Sequence, residues 1–389
     1  MRVLITCVSV TSHLLPIVPL AMALRAGGHE VLVAGQPDLV AAAGPMGLST
    51  ATVGSEAHEA ERRARMAQVA RQHTGGAAPW QPTWEQLADR WRQRVDAVVE
   101  QHLDLARRWR ADLIIGDPLE FSALIVGALL GIPAVVHRWG PETMSTQARE
   151  PARRALGDIC HRLGLPDGLP EPALVLDPSP PSFACPDAAP ARPIRFVPFN
   201  GAGSVPGWVG RRGARHRICV SLGSMSAALG GRAVLDTLLP VLDSLPEVET
   251  IVLGAGADDR PGRGAGQARL VDSVPFNLFA GTCDLVAHHG GSGSGLTAIA
   301  FGLPQLVLPQ FNPALAMFGA RVRACGIGIT LEGEDQRAPE TVAGAVRDLL
   351  GDPRYRARTA RLGAEMRRQP SPAELVAVLE RLTGAGSAD

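Results

Sequence analysis

MRVLITCVSVTSHLLPIVPLAMALRAGGHEVLVAG, residues 1–35, reads as strand, helix and strand in succession. A β-rich run from Arg2 to Val8 is followed by apolar residues at helical spacing from about Leu14 to Arg25, by Gly27 and Gly28 as a stop, and by a second strand from Glu30 to Ala34. Strands joined through a helix lie parallel, so the chain opens as a parallel sheet with helices on its faces. Further strands are expected at Asp112 to Asp117 and Pro133 to His137, separated by the helical pattern Phe121 to Leu130. The first half is therefore a doubly wound α/β domain.

Two stretches depart from this grammar. From about Ala51 to Gln101 charged helical segments are interrupted by HTGGAAPWQPTW, which predicts an insertion on the open face of the domain. From Asp167 to Pro206 the chain is loaded with proline and carries only the short strand-like run Ala173 to Leu176. Strand signals then return at Arg217 to Leu222, Thr250 to Leu253, Ala268 to Val271, Asp284 to His288 and Gln305 to Leu308, with helices between, so a second Rossmann-like domain follows the first. Ser371-Pro372-Ala373-Glu374 is a capping box with proline at the first helical position, and it starts a last helix reaching about Leu382. The expected division is a first domain over 1–205, a linker over 206–215, a second domain over 216–370 and a terminal helix within 371–389.

Composition removes several function classes. The 389 residues carry 38 positive and 38 negative side chains, which leaves no bulk charge for nucleic acid or an anionic membrane. Every positive side chain is arginine, so a P-loop lysine and a Schiff-base lysine are both absent. The six cysteines are dispersed, without a C-x-x-C pair or a cluster with histidine at metal-ligand spacing, and no metal site is expected. No stretch reaches the roughly 18 consecutive apolar residues of a membrane span, and the start lacks the features of a signal peptide; the chain reads as cytoplasmic.

The strongest chemical signal is Asp284-Leu-Val-Ala-His-His289-Gly-Gly-Ser-Gly-Ser294-Gly-Leu-Thr-Ala. A Gly/Ser-rich turn entering a helix aims unpaired backbone N–H groups at one point, where the helix dipole adds partial positive charge, so this is an anion site. His289 and the hydroxyls of Ser292 and Ser294 supply further donors to a diphosphate without a metal. The plain alternative is a tight turn with Gly291, Gly293 and Gly295 serving close packing; the third glycine comes one residue too early for a dinucleotide fingerprint. The first βα loop, Ser9-Val-Thr-Ser-His13, has no glycine to admit a pyrophosphate and presents a histidine instead. Thr11 or Ser12 is expected to cap the following helix, with His13 at the carboxyl edge of the sheet. Asp117 ends its strand at the same edge, and a His13–Asp117 pair makes a base for activating a hydroxyl; Glu120 is the second choice of partner. His137-Arg-Trp-Gly140 closes a strand there too, with Trp139 either walling an acceptor cleft or packed beside a buried Arg–carboxylate pair. Trp80 and Trp84, in the irregular stretch, are acceptor-platform candidates.

With a glycine-free histidine loop and a histidine–glycine diphosphate loop on successive Rossmann-like halves, the sequence resembles the nucleotide-sugar glycosyltransferases of GT-B fold, two such domains facing a central cleft. More narrowly it resembles the bacterial enzymes that glycosylate polyketide antibiotics, from Arg2 to about Leu382. The runs His137-Arg-Trp-Gly140, Leu176-Asp-Pro-Ser-Pro-Pro-Ser182 and Val197-Pro-Phe-Asn-Gly201 are most similar to the spinosyn-type rhamnosyltransferases, which use thymidine diphosphate sugars. The resemblance implies His13 as general base with Asp117 as its partner. It implies His289, Gly291, Ser292, Gly293 and Ser294 on the diphosphate, Gly223 and Ser224 in a glycine loop near the phosphates, and Val274 and Pro275 holding the nucleobase. It also implies that the last helix, which follows Pro370-Ser-Pro-Ala-Glu-Leu-Val376, crosses back onto the first domain.

One departure bears on the donor. Where the family has an acidic residue followed by glutamine against the sugar hydroxyls, this chain has Pro309-Gln-Phe-Asn-Pro-Ala-Leu315. A hydrogen bond to a charged group contributes about 1.5–3 kcal/mol, so its loss implies a more deoxygenated sugar, or Gln310 or Asn312 in the acid's place. The activity implied is inverting transfer of a rhamnose-like deoxysugar from a thymidine diphosphate carrier to a polyketide or other small-molecule aglycone, without metal or other cofactor. A second copy of the chain, in a homodimer, is the candidate protein partner. Two rival readings remain open at this point: a nucleotide-sugar epimerase of related fold, which would need an acidic pair and no acceptor platform, and a helper subunit that has kept the fold and lost the chemistry.

Overall fold

Period-two burial explains the first sheet. A computed structural model describes residues 1–73, 82–223, 233–254, 268–271, 274–310 and 313–384. Strands β1 (Arg2–Thr6), β2 (Glu30–Gly35), β3 (Ser49–Thr52), β4 (Leu113–Gly116), β5 (Ala134–His137), β6 (Leu174–Asp177) and β7 (Arg192–Pro193) form one parallel sheet in the order β3-β2-β1-β4-β5-β6-β7. Val3, Ile5, Val33, Leu113, Ile115 and Val135 point to one face, whereas Leu4, Ala34, Ile114, Ala134 and Val136 point to the other. Both faces are covered, which is why the strands read as continuous apolar runs rather than alternating ones.

The helices α1 (Thr11–Leu14), α2 (Val18–Ala26) and α3 (Pro37–Ala43) cover the first face. The expected single helix from Leu14 to Arg25 is split in two, because Pro16 and Pro19 have no N–H to offer the preceding turn. Neither Thr11 nor Ser12 caps α1; its cap is Val10, without a side-chain bond. Helix α4 (Glu56–His73) contacts α3; on the other face α5 (Trp84–Trp109) packs on α6 (Phe121–Leu130) and, beyond the short α7 (Met144–Gln147), on α8 (Arg149–Arg162). Helix α5 corrects the expected insertion: it buries Trp91, Val95, Val98, Val99, Leu103 and Ala106 and is a structural helix of the domain, started by a Thr83–Gln86 capping box.

The second sheet holds β8 (His216–Ser221), β9 (Val248–Leu253), β10 (Arg269–Val271), β11 (Leu285–His288), β12 (Gln305–Val307) and β13 (Gly328–Thr330), all parallel, in the order β10-β9-β8-β11-β12-β13. Around it run α9 (Ala233–Asp243), α10 (Ser292–Ala300), α11 (Pro313–Ala324), α12 (Pro339–Gly351) and α13 (Pro353–Arg368). The last helix, α14 (Pro372–Leu382), packs on α2, burying Leu375, Val376 and Leu379 in the first domain's core. Phe183 and Phe196 come from the chain leaving the first sheet but lie in the cluster under the second, with Leu296, Phe318 and Met366. No helix among the described residues is long and apolar enough to cross a membrane.

Gly295 illustrates how tightly α10 is set. A Cβ there would overlap the ring of Phe318, which is itself buried and held between Phe183 at 5.2 Å and His288 at 5.7 Å. Alanine improves helix propensity by about 1 kcal/mol, but the ring has no room to yield. Gly295→Ala is therefore expected to destabilise the protein by about 1–3 kcal/mol net of that gain, read as a lower urea midpoint; an unchanged or higher midpoint would show that the layer can open.

Candidate active site

In each sheet the connection reverses direction at one gap, between β1 and β4 and between β8 and β11, and ligands of α/β sheets bind outside the carboxyl ends of such strand pairs. Thr6 stands level with Gly116, so the loops after β1 and β4 begin side by side. They bring His13 Nδ1 to 3.3 Å from Asp117 Oδ2, an ion-pair distance off the line of a hydrogen bond. Asp117 is buried, with Oδ2 accepting from the Val8 N–H at 2.7 Å and Oδ1 from the Leu119 N–H at 2.8 Å. Burial pushes its carboxyl upward, but the facing His13 ring and the two backbone donors outweigh that, and its pKa lies below the usual value. The pair is thus a fixed carboxylate behind an imidazole whose side chain keeps 17% of its surface exposed.

A second layer beneath this pair was not anticipated. Glu120, the alternative partner for His13, turns inward and accepts from Ser122 Oγ at 2.6 Å, with the Arg94 guanidinium 3.9 Å away. The Ser122 hydroxyl also meets His102 Nδ1 at 2.9 Å, and His102 Nε2 meets Thr6 Oγ1 at 3.1 Å. This buried chain ties α5 to the 117–122 turn. The sequence signal was the lone His102 on the apolar face of a helix whose earlier turns had been read as insertion.

The strand end at His137 delivers Trp139 onto His13, with ring centroids 4.4 Å apart. Its neighbour Arg138 is buried against Asp177 and Glu142, which is the packed Arg–carboxylate cluster that one of the two readings of this segment expected. Gly140 then touches the second domain, since a Cβ on it would sit 2.7 Å from Ser292 Cβ. Trp84 is 40% exposed at the start of α5, with its ring 6.3 Å from Trp91, which in turn meets Phe121 edge-on at 5.3 Å. Trp80 lies outside the described residues.

In the second domain the 289–294 turn leads into α10. Gly291 is the cap of α10 and offers no side-chain bond, so the N–H groups of Ser292, Gly293 and Ser294 have no intrahelical acceptor. Ser294 Oγ lies 3.1 Å from Ser221 Oγ, at the end of β8. The His289 ring faces the Ser221 carbonyl at 3.3 Å through Nδ1, and burial lowers its pKa to about 4, so the ring is neutral with its proton on Nδ1. Gly223 has φ +70° and lies under that ring, where an added Cβ would fall 2.5 Å from His289 Cε1. Close approach of backbone to imidazole therefore requires glycine there.

The remaining candidates divide. Val274 and Pro275 follow β10 and enter the turn Phe276–Leu278, with Val274 packed on the Phe276 and Phe279 cluster. Gln310 spends both amide hydrogens, on Leu308 O at 3.0 Å and on Gln336 Oε1 at 2.7 Å, leaving only its carbonyl oxygen for a ligand. Ser224 and Asn312 lie outside the described residues. An unanticipated tie is Asn200, which bonds Asn277 and Thr297 and so joins the chain leaving the first domain to α10.

Comparison with known proteins fits this geometry. The profile of the erythromycin biosynthesis protein CIII-like N-terminal domain matches residues 22–223, and that of the C-terminal domain matches residues 240–382. The chain belongs to this family. Tylactone mycaminosyltransferase of Streptomyces fradiae is 31% identical over 98% of this chain and 92% of its own length. Aklavinone 7-beta-L-rhodosaminyltransferase of Streptomyces galilaeus is 31% identical over 98% of this chain and 96% of its own. Among solved structures, spinosyn rhamnosyltransferase SpnG complexed with thymidine diphosphate superposes with a TM-score of 0.83 at 35% identity, covering 98% of this chain and 100% of that one. As a CIII-like protein the chain is a GT-B glycosyltransferase of the antibiotic-tailoring type, and the epimerase reading falls.

Proposed function

We propose that this enzyme transfers a deoxysugar from a thymidine diphosphate carrier to a polyketide or similar aglycone with inversion, using His13 as general base and no metal. The observation that carries the reading is the meeting of two half-sites: His13 and Asp117 behind Trp139 on one side, and the Ser292–Ser294 N–H cradle touching Gly140 on the other. His13 takes the acceptor proton, the freed oxygen attacks the anomeric carbon, and the bond to the diphosphate breaks as its charge develops against the start of α10. Asp117 stabilises the imidazolium that forms. His289, Ser292, Gly293, Ser294, Gly223 and Ser224 hold the diphosphate, Val274 and Pro275 the base, and Trp84 with Trp139 the acceptor. The rhamnose-like character of the sugar is part of this proposal; it is supported by the likeness to the spinosyn rhamnosyltransferase and by a Gln310 that only accepts hydrogen bonds. A cytoplasmic setting belongs to the same proposal.

Thermal unfolding with thymidine diphosphate, uridine diphosphate and NAD, without added metal, tests the donor half. At a hundredfold excess over Kd a ligand stabilises by about 2.7 kcal/mol, on the order of 5 °C here. The shift is expected with thymidine diphosphate and to be smaller with uridine diphosphate. A shift with NAD alone, or with none of the three, would refute the donor assignment.

A further inference from the structure

Arg138 is among the most enclosed charged side chains of the first domain, at 2% exposure, and it sits one residue before Trp139 and two before Gly140. Its Nε donates to Ser145 Oγ at 2.8 Å and lies 3.2 Å from Glu142 Oε1; one terminal nitrogen donates to Asp177 Oδ2 at 2.9 Å, the other to the Ala189 carbonyl at 2.7 Å. The backbone is pinned as well, its N–H donating to the Leu176 carbonyl at 2.9 Å and its carbonyl accepting from His137 Nδ1 at 2.7 Å. Glu142 and Asp177 are held in turn by the N–H groups of Ser145 and Ser179, each at 2.8 Å. A guanidinium fork presents donors in a fixed plane, so partners on both flanks and at its tip leave the side chain a single orientation.

A buried pair of this kind is a weak device for stability, because desolvation offsets most of the attraction, but it fixes geometry well. What it fixes here is the segment 138–142, and that segment does two things at once. Trp139 lies against the imidazole of His13, and Gly140 abuts Ser292 at the head of the phosphate cradle. We propose that Arg138 is the positioning residue of the transfer site, setting the His13 ring through Trp139 and the approach of the Ser292 loop through Gly140. It touches neither substrate. The inference rests on the His13 reading for its consequence in catalysis, but its geometric content stands apart from turnover.

Ring-current NMR separates the two. Carbon-bound imidazole protons of His13, assigned by their loss in His13→Gln, are expected upfield in the native protein because the Trp139 indole covers the ring, and to return downfield in Trp139→Ala. Arg138→Lys keeps the charge and loses the fork; it is expected to bring the His13 signals most of the way to their Trp139→Ala positions. If Arg138→Lys does not fold, Ser145→Ala removes one partner of Nε and is expected to move the same signals in part. In turnover, Arg138→Lys should lower kcat by about tenfold or more, and should cost clearly less than that in a Trp139→Ala background, where only the Gly140 arm is left to lose. His13 signals unmoved in a folded Arg138→Lys protein, or equal kcat losses in both backgrounds, would overturn the proposal. Absence of transfer by the native chain would instead refute the function while leaving the NMR result to decide Arg138.

Discussion

His13→Ala is expected to lower kcat by about 10²–10⁴-fold, the range for removing a positioned general base, while leaving the affinity for thymidine diphosphate within about twofold of the native value. The separation follows from the architecture. His13 belongs to the loop after β1, whereas the proposed phosphate cradle is built on β8, β11 and α10 of the second domain. Removing the imidazole leaves the Asp117 carboxylate buried, but with both backbone N–H donors still bound, so the loop keeps its shape. The rate loss is therefore chemical rather than structural, and the far-ultraviolet spectrum and urea midpoint should change little. Asp117→Asn should also lower kcat, because the amide does not stabilise the imidazolium. Near-native turnover in His13→Ala would remove the base from the mechanism. A native chain that never turns over a donor, yet co-purifies with an active transferase, would favour the helper-subunit reading instead.

Much of this was legible in one sequence because β-α-β grammar is local. Apolar runs, glycine stops and the capping box at Ser371 each act within a few residues, and the helices Phe121–Leu130 and Pro372–Leu382 are found where they were expected. The failures have physical causes. Helix α5 is highly charged on its outer face and follows a Gly/Pro-rich stretch, so its buried stripe of Trp91, Val95 and Val99 was lost in the surrounding polarity. Strands β3, β7 and β13 have only 4, 2 and 3 residues, too few to carry a strand pattern of their own. In the site, His13 with Asp117 and the 289–294 loop were visible because both stand at the ends of strong strands. The Thr6–His102–Ser122–Glu120 chain and the Arg138 cluster join residues up to 96 positions apart, and only the folded chain brings such partners together.

Acidification is expected to unfold this protein well before its carboxylates titrate fully. Burial lowers the pKa of His137 to about 4 and of His288 to about 3 from an ordinary 6.5, and both are committed as neutral rings. His137 donates from Nδ1 to the Arg138 carbonyl, while His288 accepts the Gly290 N–H on Nδ1 and faces Gln305 Oε1 with Nε2, so a second proton on His288 breaks its bond to the Gly290 N–H. Above pH 6.5 both rings are neutral folded or unfolded, and nothing is lost. Between 6.5 and the folded values only the unfolded chain gains the proton, so stability falls as pH falls. At about pH 4.5 each ring accounts for about 2–3 kcal/mol, together comparable with the whole stability of many domains. His289, lowered to about 4, adds in the same direction. Glu142 opposes it, since burial raises its carboxyl and protonation relieves the buried charge, while Asp117, held below its ordinary value, adds its own loss only at the acid end. One carboxyl does not offset three imidazoles, so the urea midpoint should drop steeply from pH 7 to pH 5. His288→Leu should be less stable at pH 7 yet show a flatter slope, because it removes the proton that drives the loss. A native midpoint that holds steady down to pH 5, or a slope untouched in His288→Leu and His137→Leu alike, would show that these rings accept protons in the folded state.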